Sequence, residues 1–254
     1  MSSRSTAALL ACSLLAVALF LAATAAAAPR QTASVRFTST KPGSLTGVDW
    51  AMDYRNPDDP AGKPPALART IVTFPPGSTF DTLAPVRCTA SDTELMLEGP
   101  DACPARSRVA TGLLDVDTGS RSDVVFPRIL HNRITNLSNA GESILYTEST
   151  NMPAVQTRTV TRAKVRGRTI TTDVPPLPGI PPPDPYTSLK RFRLRVPPLK
   201  RAGRSYVRTP ASCPRSRRWI VTLEFEYRDG VRQVVRSPSP CVPRSRRAED
   251  GEGR

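Results

Sequence analysis

Histidine is almost absent from this chain: His131 is the only one in 254 residues. A Ser/His/Asp or Cys/His apparatus would have to be built on that residue alone, and no Gly-x-Ser-x-Gly elbow accompanies it. Flanked by Leu130 and Asn132 in a strand-like stretch, His131 reads as a structural or solvent-facing imidazole. Zinc chemistry lacks its ligands for the same reason, and no Cys-x-x-Cys spacing offers a four-cysteine metal site. No metal and no cofactor are therefore expected. Also missing, beyond the N-terminal segment, is any 11-residue window with apolar residues spaced by three and four, so little helix is expected. Aromatic residues make up 6% of the chain, and 14 glycines are outnumbered by 27 prolines, a balance that favours many short elements separated by turns.

The N-terminus is the most distinctive segment present. Arg4 gives a basic start, Ala7 to Ala23 is an uncharged apolar run, and Thr24 to Ala28 supplies small residues for a peptidase. Residues 1–28 are thus expected to be a signal peptide cleaved near Ala27 or Ala28, with an uncleaved anchor as the alternative. Leu9-Leu10-Ala11-Cys12 has the look of a lipoprotein box, but the apolar run continues well past Cys12, so lipidation is not expected. Residues 29–243 are long enough for one sandwich domain with a real core, and residues 244–254 read as a disordered tail.

Charge divides the chain. Residues 29–153 carry 12 Lys+Arg against 14 Asp+Glu, while residues 154–254 carry 23 against 8. The net charge of +14 would ordinarily suggest nucleic acid. Outside a cell the available polyanions are wall polymers and lipid head groups, so those are the expected partners and nucleic acid is not.

Period-two patterning runs through the domain. Val48, Trp50, Met52 and Tyr54 alternate with Asp49, Ala51, Asp53 and Arg55. Thr70 to Phe74, Val109 to Val116 and Ser143 to Thr147 read as further strands. Thr157 to Val165 and Thr169 to Val174 flank Arg166-Gly167-Arg168 and predict a hairpin. Trp219, Val221, Leu223, Phe225 and Tyr227 share a face, and Asp229-Gly230 turns the chain into Val231 to Val235, a second hairpin. Residues 175–185 contain seven prolines and can only be a stiff crossing loop, with room for a sub-sheet on either side. These features predict an all-β fold, an antiparallel sandwich immunoglobulin-like in its broad architecture and stapled by disulfides.

Four cysteines follow the leader, and four allow three pairings. Cys213 and Cys241 bracket the second hairpin, whose pairing brings them together at its open end. That leaves Cys88 with Cys103, a loop worth about 3 kcal/mol by chain entropy. Phe74-Pro75-Pro76-Gly77, Cys88 and the run from Cys103-Pro104 through Ser107 to Val109 resemble a block of exported actinobacterial β proteins. The resemblance covers roughly residues 70–117 and implies a secreted β fold with the Cys88–Cys103 bridge; it implies no activity. Ala110 stands where that block commonly has glycine.

Three constellations remain. Asp117-Thr118-Gly119-Ser120 after an apolar strand is similar to the active-site block of aspartic peptidases, which need two carboxylates sharing a proton. No second copy of the motif occurs, so a homodimer would be required, and an ordinary strand-ending turn is preferred. Asp49, Asp53, Asp58 and Asp59 match no twelve-residue calcium loop and read as solvated turn charges. Arg191, Arg193 and Arg195 alternate with Phe192, Leu194 and Val196, and Lys200, Arg201 and Arg204 follow; guanidinium groups in a row suit phosphates or carboxylates on a polymer. The expected function is a non-enzymatic, secreted or envelope-associated protein that contacts anionic polymer or lipid through this basic face. The alternatives are a dimeric acid peptidase using Asp117, or a structural or carbohydrate-binding sandwich.

Overall fold

The computed structural model describes residues 28–120, 127–152 and 156–243. The leader, save Ala28, and the tail expected over 244–254 lie outside them. Fifteen strands follow in chain order: β1 Gln31–Phe37, β2 Val48–Tyr54, β3 Leu67–Thr73, β4 Thr79–Phe80, β5 Arg108–Asp117, β6 Ile129–Asn139, β7 Glu142–Ser149 and β8 Arg158–Arg166, then β9 Thr169–Asp173, β10 Ser188–Val196, β11 Lys200–Arg201, β12 Arg204–Ser205, β13 Val207–Arg208, β14 Arg218–Tyr227 and β15 Arg232–Pro240. Both predicted hairpins are present, as β8–β9 and β14–β15.

Eleven strands form one antiparallel sheet in the order β1-β2-β10-β5-β6-β7-β8-β9-β3-β14-β15. Its two ends meet. The Ser237 hydroxyl accepts from the Val35 N–H at 2.8 Å and donates to the Val35 carbonyl at 3.1 Å, and Ser239 Oγ accepts from the Phe37 N–H at 3.0 Å. β15 carries Pro238 and Pro240, which have no N–H to give to a ladder, so side-chain hydroxyls make the seam instead. The expected antiparallel sandwich is therefore built from opposite walls of a single curled sheet. The proline-rich segment links β9 to β10 within that sheet.

Near the seam the interior is filled by aromatic rings. Phe37 packs against Phe74 and Trp219, Trp50 against Phe74, and Tyr54 against Phe225, with centroids 5.6–6.1 Å apart. Burial pushes the phenols of Tyr54 and Tyr206 far above the ordinary tyrosine value, since a phenolate there would lose its water.

Both expected disulfides are formed, with Cα–Cα distances of 5.0 Å for Cys88–Cys103 and 5.6 Å for Cys213–Cys241. The first encloses the one α-helix among the described residues, α1 (Asp92–Glu98). Ser91 caps it: its hydroxyl accepts from the Glu94 N–H while Glu94 reaches back to the Ser91 N–H. Leu95 packs with Leu137, Ile144 and Tyr146 on the outer side of β6 and β7, so the stapled loop covers apolar residues that would otherwise face water. Arg162 fixes it, bonding Asp92 at 2.7 Å and the Ala90 carbonyl at 2.8 Å.

Candidate functional site

Away from the seam, the curled sheet is hollow. A chamber of about 480 Å³ lies against the inward side chains of β2, β3 and β5 to β10. That volume falls in the range of small-molecule sites, and the chamber walls are mostly apolar, as such sites are. The cause is visible in the sequence of the walls. β2, β5 and β10 turn Trp50, Met52, Leu114, Val116, Phe192 and Leu194 inward, whereas β8 turns in Thr159, Thr161 and Ala163 and β9 Ile170 and Thr172. Side chains as short as threonine and alanine cannot reach across the sheet's width, and nothing larger fills the gap.

One end of the chamber is bounded by Pro175, Leu177, Pro178 and Thr187 of the proline-rich crossing. This segment is pinned from outside. Lys63, 3% exposed, donates through Nζ to the carbonyls of Ile180 (2.8 Å), Asp184 (2.5 Å) and Tyr186 (2.8 Å), and the Asp184 carboxylate lies 3.7 Å away. Burial lowers the Lys63 pKa, against the opposing pull of Asp184 and Asp117. Arg228 adds a cation–π contact, 4.7 Å above the Tyr186 ring, and donates to the Val174 carbonyl at 2.7 Å.

The expected site residues fall elsewhere. Asp117 is fully buried at the end of β5; its carboxylate accepts from the Gly119 N–H at 2.9 Å and meets Arg128 at 3.3 Å and Lys190 at 3.8 Å. Gly119 has φ +80°, and a side chain there would collide with the Ile180 carbonyl. Two cations and a turn amide surround Asp117, the setting of a strand-ending turn. His131 is exposed, its Nδ1 lying 2.9 Å from Asp115.

Arg191, Arg193 and Arg195 do line one outward face, as the alternation predicts, but that face is not an open array of cations. Arg193 bonds both Asp53 oxygens at 2.7 and 2.8 Å, Arg191 lies 3.5 Å from Asp115 and 3.8 Å from Asp53, and Arg195 lies 3.8 Å from Asp49. The neighbouring strands β2 and β5 supply these acids, and β10 runs between them. Asp49 and Asp53 are thereby paired with arginines rather than free for a cation, and the Asp58 N–H bonds Asn56 Oδ1 in a turn. Arg204 is paired with Asp81 through two hydrogen bonds of 2.7 and 2.9 Å, which hold the carboxyl below its ordinary value. Lys200 and Arg201 have no ion-pair partner among the described residues.

Among the described residues no helix is long and apolar enough to cross a membrane, and no group of three or more His, Cys, Asp or Glu is gathered as metal ligands. Comparison with protein-family models, with curated proteins and with solved structures finds no match to this chain.

Proposed function

We propose that this is a non-enzymatic binding protein of the extracytoplasmic space that holds a small apolar molecule inside its curled sheet. The observation that carries the reading is the chamber of about 480 Å³ with apolar walls. Export is supported by the leader-like N-terminus and by two disulfides, which persist in oxidising compartments. The test is organic extraction and mass spectrometry of the folded protein purified from an exporting cell, in parallel with Ala163→Phe, which puts a ring into the chamber. A stoichiometric apolar compound released by the parent and missing from the variant supports the reading; the same extract from both contradicts it.

Contact with anionic wall polymer or a lipid surface stands as a second reading, moved from the Arg191 to Arg204 face to another part of the molecule. Arg215, Arg217 and Arg218 are exposed beside Cys213 and have no ion-pair partner among the described residues. Salt-sensitive sedimentation with isolated envelopes, weakened in R215A/R217A/R218A, is the expected result; unchanged sedimentation would remove this reading.

A further inference from the structure

The chamber is not uniformly apolar, and its polarity has a direction. Trp50, Met52, Leu114 and Phe192 belong to the β2-β10-β5 arm of the sheet order, and the β8-β9-β3 arm contributes threonines. Thr70 of β3 and Thr172 of β9 are direct cross-strand partners, Thr172 is in turn opposite Ala163 of β8, and Thr161 lies two residues from Ala163 on the same strand face. Cross-strand neighbours stand roughly 5 Å apart, so these hydroxyls form one patch.

Elsewhere on the wall several polar side chains satisfy one another, whereas Trp50 Nε1 and Arg158 Nε are buried without a partner among the described residues. Thr147 and Thr159 share a hydrogen bond of 2.5 Å, Asn136 Nδ2 donates to Ser143 Oγ and to the Ile144 carbonyl, and Asn132 Nδ2 donates to the carbonyls of Leu114 and Leu130. Thr70, Thr161 and Thr172 are half-buried residues that line the same space, and their hydroxyls, open to the chamber, make no hydrogen bond to the described residues. A guest that covers such a hydroxyl without bonding it leaves it unmatched at a cost, and threonine can both donate and accept.

Resting on the binding-protein reading above, we infer that the chamber selects an elongated apolar molecule bearing oxygen functions along one side, such as a hydroxylated acyl chain. The hydrocarbon lies against Trp50, Met52, Leu114 and Phe192, and its hydroxyl groups exchange hydrogen bonds with Thr70, Thr161 and Thr172. A plain hydrocarbon chain fits the space but leaves the three threonines without partners or with trapped water.

Oleic and ricinoleic acids test this, because they differ by one hydroxyl in the middle of the chain. Titrated by calorimetry into the full secreted chain, ricinoleic acid is expected to bind about three- to tenfold more tightly, the worth of one net hydrogen bond. In T70V/T161V/T172V, where valine keeps the shape and suits a strand, that preference disappears while oleic acid binds at least as well as before. The single variant Thr161→Val, expected to lose part of the preference, serves if the triple variant does not fold. Equal affinity of the two acids for the parent, or a preference that survives the triple substitution, overturns the selectivity while leaving the chamber intact as a site. Binding of neither acid overturns both.

Discussion

The two halves of the interior are bounded by the same curled sheet and differ in what their strands turn inward. Toward the seam, Phe37, Phe74, Trp219, Phe225 and Tyr227 fill the space between the walls. Toward β7, β8 and β9 the inward positions hold serine, threonine, alanine and single aliphatics, and about 480 Å³ stays open. Backbone ladders run through both halves and Ser237 and Ser239 hydroxyls close the seam, so hydrogen bonding does not decide which is solid. Side-chain volume does. The packed half carries stability, and the hollow half has interior surface free for binding.

Alkali should expose this division most sharply. Tyr227 belongs to the packed half, Tyr54 and Tyr206 stand where it borders the chamber, and burial raises each phenol's pKa well above the ordinary value of 10.0. The unfolded chain then gives up its phenolic protons first, so stability is fully present below pH 10 and lost as pH rises beyond it. Tyrosine ionisation followed by absorbance should coincide with loss of circular dichroism in one transition; ionisation of these phenols in a still-folded protein would break the account of the packed half.

Truncations should differ between the halves. Phe74→Ala, at a fully buried ring touching Phe37, Trp50 and Phe80, should cost about 3–5 kcal/mol in denaturant unfolding. Leu145→Ala, on the chamber wall, should cost less than half of that, because its side chain already borders open space. Equal costs would mean that the chamber is not open in solution.

Lys63→Met should fall between these values, at about 2 kcal/mol, since it leaves three carbonyls of the proline-rich crossing without their donor. Hydrogen exchange should rise at Gly179, Ile180 and Thr187, whose backbone N–H groups hold that crossing in place. The smallest effect belongs to the outer face: Arg195→Ala, an exposed pair with Asp49 at 3.8 Å, should change stability by less than about 1 kcal/mol.

Strand alternation made much of this molecule legible in advance. β2, the β14–β15 hairpin and the turn at Gly167 follow from period two and from glycine at the corner, and the pairing of Cys213 with Cys241 follows from the hairpin between them. The arginine row was legible for the same reason. Its neutralisation was not, because Asp49, Asp53 and Asp115 reach β10 from strands distant in sequence. Helix α1 had a local signal in Ser91-x-x-Glu94, but at seven residues it is shorter than any window that reveals helical spacing. The chamber had only a faint one. In β8, Thr159, Thr161 and Ala163 alternate with Val160, Arg162 and Lys164, which marks two faces without saying that the threonine face is the interior. An empty volume depends on which strands come to oppose one another, and that is a property of the curled sheet as a whole.

The central claim is that the hollow half accepts an apolar guest without help from the packed half. Equilibrium titration of the folded protein with an apolar naphthylamine fluorophore, alongside Ala163→Phe at matched stability, tests it most directly. Saturable binding of one dye per parent chain, abolished by Ala163→Phe with the denaturation midpoint unchanged, is the predicted result. No saturable binding to the parent, or binding that Ala163→Phe leaves intact, would contradict it.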